Sequence, residues 1–154
     1  MLLRMPDINS WPRLLLEGDD LVYRDGDFAE IWRVPITSMT LIGEHTTSAG
    51  PSDDWFLEIG YNEGGLKLLR EISMPGGAEN VLAELGSRLG SPPIQLQLVQ
   101  STSFDSRVLW PEKLAGKPLF TKRLVARSGK LGFLLTKLFG RKAVWFVSDE
   151  VLRR

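Results

Sequence analysis

Trp55-Phe56-Leu57-Glu58-Ile59-Gly60-Tyr61-Asn62-Glu63-Gly64-Gly65-Leu66-Lys67-Leu68-Leu69-Arg70-Glu71-Ile72 reads as a β-hairpin. Trp55, Leu57 and Ile59 fall to one side of an extended chain, and Phe56, Glu58 and Gly60 fall to the other. That period of two marks a strand. Asn62-Glu63-Gly64-Gly65 is a turn, and residues 66–72 return as the partner strand.

Upstream the same grammar repeats. Residues 13–17 are a short apolar run, Gly18-Asp19-Asp20 turns, and 21–24 continue. Gly and Asp at the centre tolerate the positive φ of tight hairpin turns. Asp25-Gly26-Asp27 repeats the turn signal before 28–34, where Phe28, Glu30, Trp32 and Val34 share one face. Ala29, Ile31 and Arg33 share the other, so this strand is expected to be covered on both sides. Pro35 cannot donate to a ladder and suits an edge or a strand boundary. An extended pattern resumes at 39–44, and the composition of 45–54 predicts a loop.

Downstream, Met74-Pro75-Gly76-Gly77 ends the sixth strand. Val81, Leu82, Leu85 and Leu89 then fall at helical spacing, with Glu79, Glu84 and Arg88 off that face, predicting an amphipathic helix over 78–89. Gly90 stops it and Pro92-Pro93 prevents continuation. Beyond this boundary 94–99 alternate as a half-buried strand, 101–106 read as a loop and 107–110 as a short strand. Residues 119–127 fit strand or helix, 131–139 a short helix through Leu131, Leu134, Leu135 and Leu138, and 143–147 a last strand. Trp11, Trp32, Trp55, Trp110 and Trp145 occur in or beside these strands, as core or rim residues do. The stretch 14–24 also echoes 144–154: an apolar strand, a small-acidic-acidic step, an apolar pair and a basic end. Many hairpins look this way, and the alternative is the start of a second repeat.

The order of elements over 11–90 resembles the bacterial pleckstrin-homology-like (PH-like) domains. The features that carry it are the hairpin around Gly18-Asp19-Asp20, the segment Ile31-Trp32-Arg33-Val34-Pro35-Ile36-Thr37-Ser38-Met39, the 55–72 hairpin and the helix through Val81 and Leu89. The resemblance implies an α+β, β-rich fold: a bent antiparallel sheet forming a partial barrel, capped by an amphipathic helix. Six strands precede the helix where the full fold has seven, and 91–154 form a basic C-terminal extension expected to pack on the barrel. The fold hosts lipid binding, peptide binding and scaffolding alike.

The 154 residues suit one domain, and a hydrophobic fraction of 43% with 25% charged is that of a folded globular protein. No apolar stretch approaches the roughly 20 residues of a membrane-spanning helix, and residues 1–6 do not read as a signal peptide. Cysteine is absent, which excludes disulfides, thiolate metal sites and thiol nucleophiles. A cytoplasmic location is expected, peripheral at the inner membrane surface if the basic part contacts lipid. The net charge of zero conceals a split. Residues 1–90 hold 7 Lys and Arg against 15 Asp and Glu, and 91–154 hold 12 against 4. Such a split points to intramolecular neutralisation or a charged partner.

Catalytic chemistry finds little to work with. His45 is the single histidine, with Glu44 before it and Thr46-Thr47 after, and no nucleophile elbow, phosphate loop or dinucleotide fingerprint occurs. Asp19-Asp20, Asp25/Asp27 and Asp53-Asp54 offer carboxylates without the spacing of a calcium loop. The expectation is no enzyme, no catalytic residue, no metal and no cofactor. The basic stretch is the stronger hint: Lys122, Arg123, Arg127, Lys130, Lys137, Arg141 and Lys142 interleave with apolar residues, a pattern fit for an anionic surface. Nucleic acid is a poor match, because no motif for it appears. The sequence therefore points to a binding or scaffolding domain with a protein partner or peripheral membrane contact. The alternative is an acidic, inhibitor-like or immunity-like module acting through Asp19, Asp20, Asp25, Asp27, Asp53 and Asp54.

Overall fold

A computed structural model describes residues 12–47, 55–73, 77–98, 103–125 and 142–153. Strands β1 (Arg13–Glu17), β2 (Asp20–Arg24) and β3 (Glu30–Pro35) form one antiparallel sheet in that order. Strands β4 (Met39–Thr46), β5 (Trp55–Glu63), β6 (Leu66–Ser73) and β7 (Ser106–Trp110) form a second, ordered β6-β5-β4-β7. Between β6 and β7 runs helix α1 (Ala78–Arg88). Strands β8 (Phe120–Val125) and β9 (Lys142–Val147) pair as a two-stranded ribbon, followed by the helical turn α2 (Asp149–Leu152). The fold is β-rich and antiparallel throughout, with six strands before the helix as expected.

The 55–72 hairpin has the expected form. Gly64 and Gly65, at φ 56° and 82°, make a two-residue loop that sets Glu63 opposite Leu66 and, further along, Glu58 opposite Glu71. On one face of the four-stranded sheet, Ile42, Leu57, Ile59 and Ile72 join Leu14, Leu21 and Val34 of the first sheet and Leu82 and Leu85 of α1 in the main core. The opposite face carries a second, smaller cluster of Leu41, Val108, Leu114 and Leu119. Gly43 lies on that face opposite Glu58, and a Cβ there would stand 2.8 Å from Leu119 Cδ2, so the glycine admits Leu119.

Several expectations are corrected. The strand β4 continues through His45 and Thr46 instead of ending before a loop, because both pair with β5 and His45 also with Ser106 of β7. Residues 94–98 are not a strand; the buried Glu44 carboxylate captures their backbone donors in place of a ladder. Strand β3 is covered on one side only: Val34 is buried while Ile31 stands exposed. Within the ambiguous 119–127 stretch, Phe120–Val125 form the strand β8.

The echo of 14–24 in 144–154 does not extend to structure. Gly18, at φ 60°, turns β1 directly into β2, whereas Ser148 at the matching place has φ −64° and starts α2. The expected helix over 131–139, together with Arg127, Lys130, Lys137, Arg141, Asp53, Asp54 and Trp11, lies outside the described residues.

Candidate functional site

His45, Glu58 and Glu71 meet on the smaller-core face of the four-stranded sheet, brought together from β4, β5 and β6. Register explains the meeting. Glu58 sits between Gly43 and Glu71 in the ladder, and His45 is two residues beyond Gly43, on the same face. The imidazole stacks on Phe56, its cross-strand partner, at 4.8 Å between ring centroids and 11° between planes. Phe120 meets it edge-on at 5.2 Å. Two aromatic walls thus hold the ring with its polar edge turned to the carboxylates.

The Nδ1 atom lies 3.2 Å from Glu58 Oε1, and Nε2 lies 3.7 Å from Glu71 Oε2. Yet Nδ1 is buried without a hydrogen bond, the one such side-chain polar atom among the described residues. The Glu58 side chain is 2% exposed and that of Glu71 58%, so the cluster is closed at one end and open to solvent at the other. Burial pushes the Glu58 carboxyl above the usual carboxylate range; neighbouring Glu71 adds to the rise and His45 opposes it. A carboxyl pair beside an imidazole can share a proton or hold a cation.

A second buried acid, Glu44, faces the main core and is fully occupied. Its Oε2 accepts the Trp55 indole N–H at 2.9 Å, and its Oε1 accepts the backbone N–H groups of Gln97 and Leu98 at 2.6 and 3.1 Å. Glu44 therefore pins the chain after α1 to the sheet. Its role is structural.

The acidic residues singled out in the first sheet are largely engaged within it. Arg33 pairs with Asp20 and Glu17 at 3.0 Å each and with Glu30 at 2.9 Å, and Arg24 forks onto Glu17. Those hydrogen bonds, from Arg24 first and Arg33 second, hold the Glu17 carboxyl down at about 2. The Asp25 carboxylate accepts the backbone N–H groups of Asp27 and Ala29, fixing the β2–β3 turn, and Asp19 sits in the β1–β2 turn. Of the basic residues, Lys122 and Arg123 lie on β8 opposite Trp145 and Val144, and Lys142 opens β9. Lys117 reaches Glu150 at 3.7 Å, an ion pair inside the basic part that does not cross the charge split.

Beside the cluster, on the same sheet face, a groove of about 330 Å³ runs between α2 and β5–β6. Leu41, Gly60, Leu69, Val147, Val151 and Leu152 line it. The sequence reading missed the groove and the cluster alike; the outward parity of Glu58 in an apolar strand was the available signal. Compared with known proteins, the chain matches no family model, no curated protein and no solved structure. No helix among the described residues is long and apolar enough to cross a membrane.

Proposed function

We propose that this chain is a non-enzymatic binding or scaffolding domain of pleckstrin-homology-like architecture that takes an extended apolar segment of a protein partner. The observation that carries this reading is the apolar groove lying beside an outer strand. Strand β6 pairs with β5 alone among the described residues, leaving one edge of its backbone for an added strand. Leu69 and Leu152, which line the groove, stand 38% and 57% exposed, an apolar pair with a strand edge to orient a ligand. An added strand would present alternate side chains to the groove and the rest to solvent. Support for the architecture comes from the three-stranded and four-stranded sheets packed on one core with the amphipathic α1.

A displayed library of random peptides selected on the protein tests this. Enriched sequences should alternate apolar and polar residues, and Leu69→Glu and Leu152→Glu should each weaken binding about tenfold, roughly 1.4 kcal/mol. Amides of β6 should gain protection from exchange in the complex. Absence of enrichment, or binding indifferent to both substitutions, overturns the reading. If instead the protein ignores peptides but sediments with anionic vesicles, and charge reversal at Lys122, Arg123, Arg127 and Lys130 abolishes this, the partner is a membrane surface.

A further inference from the structure

We propose that His45, Glu58 and Glu71 form a binding site for a divalent transition-metal ion of the zinc type. The site is independent of the peptide-binding reading and rests on three observations. The first is composition and spacing. One imidazole and two carboxylates offer ligand atoms that all lie within 4.8 Å of one another. Two donors each about 2.1 Å from a tetrahedral zinc ion stand roughly 3.4 Å apart, and Nδ1 of His45 and Oε1 of Glu58 are separated by 3.2 Å. Oε2 of Glu71 stands 3.7 Å from Nε2, the other ring nitrogen, so the exposed Glu71 side chain swings toward Nδ1 to complete the set.

The second observation is the orphaned nitrogen. The His45 side chain is nine-tenths buried, and its Nδ1 has no hydrogen bond although a carboxylate oxygen stands within reach. A buried polar atom without a partner costs free energy. A cation between Nδ1 and Oε1 removes that cost by taking the nitrogen lone pair, while the Phe56 and Phe120 rings keep the imidazole from turning away.

The third is charge and access. Glu58 and Glu71 face each other across β5 and β6, so two carboxylates share one small space beside the imidazole. A dication neutralises both at once. Glu71 is exposed, which gives an ion a way in and leaves one coordination position toward solvent. The imidazole selects the ion class: calcium and magnesium favour all-oxygen shells, whereas zinc accepts nitrogen and carboxylate together. Three protein ligands with an open fourth position would let the ion bind a water molecule or an anionic group from outside.

Because His45 is the only histidine, its ring resonances report on the site without ambiguity. The test uses the untagged full chain, freed of metal by a chelator, titrated with zinc chloride and separately with magnesium and calcium chloride. Saturable binding of one Zn²⁺ per chain is expected, with the ¹⁵N resonance of His45 Nδ1 displaced and no comparable response to magnesium or calcium. Glu71→Gln, at an exposed position, should weaken zinc binding about tenfold or more while leaving the fold intact, and Glu58→Gln and His45→Asn should do the same or worse. Three results would overturn the proposal: no saturable zinc binding, binding that leaves the His45 resonances in place, or affinity unchanged in Glu71→Gln and Glu58→Gln. If Glu58→Gln fails to fold, Glu71→Gln and the His45 spectrum decide the matter alone.

Discussion

Glu44 and Trp55 are joined inside the main core, the indole Nε1 donating to Oε2 at 2.9 Å, while the other carboxylate oxygen holds Gln97 and Leu98. One buried side chain thus links two strands to a segment without regular structure. Glutamine at position 44 keeps the volume but offers a single accepting oxygen where three donors now converge. Glu44→Gln should cost about 1–3 kcal/mol, since at least one buried donor loses its partner. Urea unfolding would measure the loss, and faster hydrogen exchange at the Leu98 amide would locate it.

Gly86 lies inside α1, where alanine normally gains about 1 kcal/mol over glycine. Here a Cβ would stand 2.6 Å from Pro92 O and 3.1 Å from Ile94 N, so the backbone leaving the helix occupies the space. The sign should reverse. Gly86→Ala is expected to destabilise by about 1–3 kcal/mol, whereas Ser87→Ala, at the exposed neighbouring position, should be neutral or slightly stabilising in the same thermal melt.

Glu17 controls acid sensitivity in the first sheet. Its carboxyl is held at about 2 by Arg24 and Arg33, below the ordinary 4.5. The stabilisation it contributes is fully present above 4.5 and disappears as pH falls through about 2, because protonation then becomes as favourable folded as unfolded. Glu17→Gln should therefore be less stable than the wild type at pH 6, and the gap should close between pH 4.5 and 2. The carboxylate is solvated, so added salt should shrink the gap at pH 6. Urea midpoints measured across that range would check both statements.

Thr46, fully buried at the end of β4, donates through Oγ1 to Ser103 O at 2.7 Å and accepts from the Asp105 N–H at 3.2 Å. These bonds position the entry to β7. Thr46→Val preserves shape and should cost about 0.5–1.5 kcal/mol by removing both hydrogen bonds, whose partners lie at the part-buried edge of the sheet. Enhanced exchange at the Asp105 amide would mark the same defect.

The hairpin of β5 and β6 shows how far local reading reaches. Alternation from Trp55 to Ile59 and the Gly64-Gly65 turn determine which side chains share a face, and a two-residue loop fixes Glu58 against Glu71. The amphipathic helix with its Gly90 stop, at φ 67°, is legible for the same reason: both signals lie within a few residues of the feature they specify. The loop expected at 45–54 began too early because Thr, Ser and Gly resemble a connection, whereas His45 and Thr46 gain partners on two other strands. Likewise the alternation of 94–98 described burial correctly, with Ile94 and Leu98 in the core, but could not reveal that Glu44 would take the backbone donors.

The sequence by itself determined the antiparallel β-rich class, the six strands before the helix, the helix boundary and the face on which each residue of the hairpin falls. These follow from periodicity and turn chemistry, which act over neighbouring positions. Only the tertiary structure decided that His45 would stand beside Glu58 and Glu71. The connection between β4 and β5 is too long to set a register by turn geometry, so the pairing of His45 with Phe56 depends on how the strands pack. Non-local packing likewise made the groove beside β6, by setting α2 against a strand far from it in the chain.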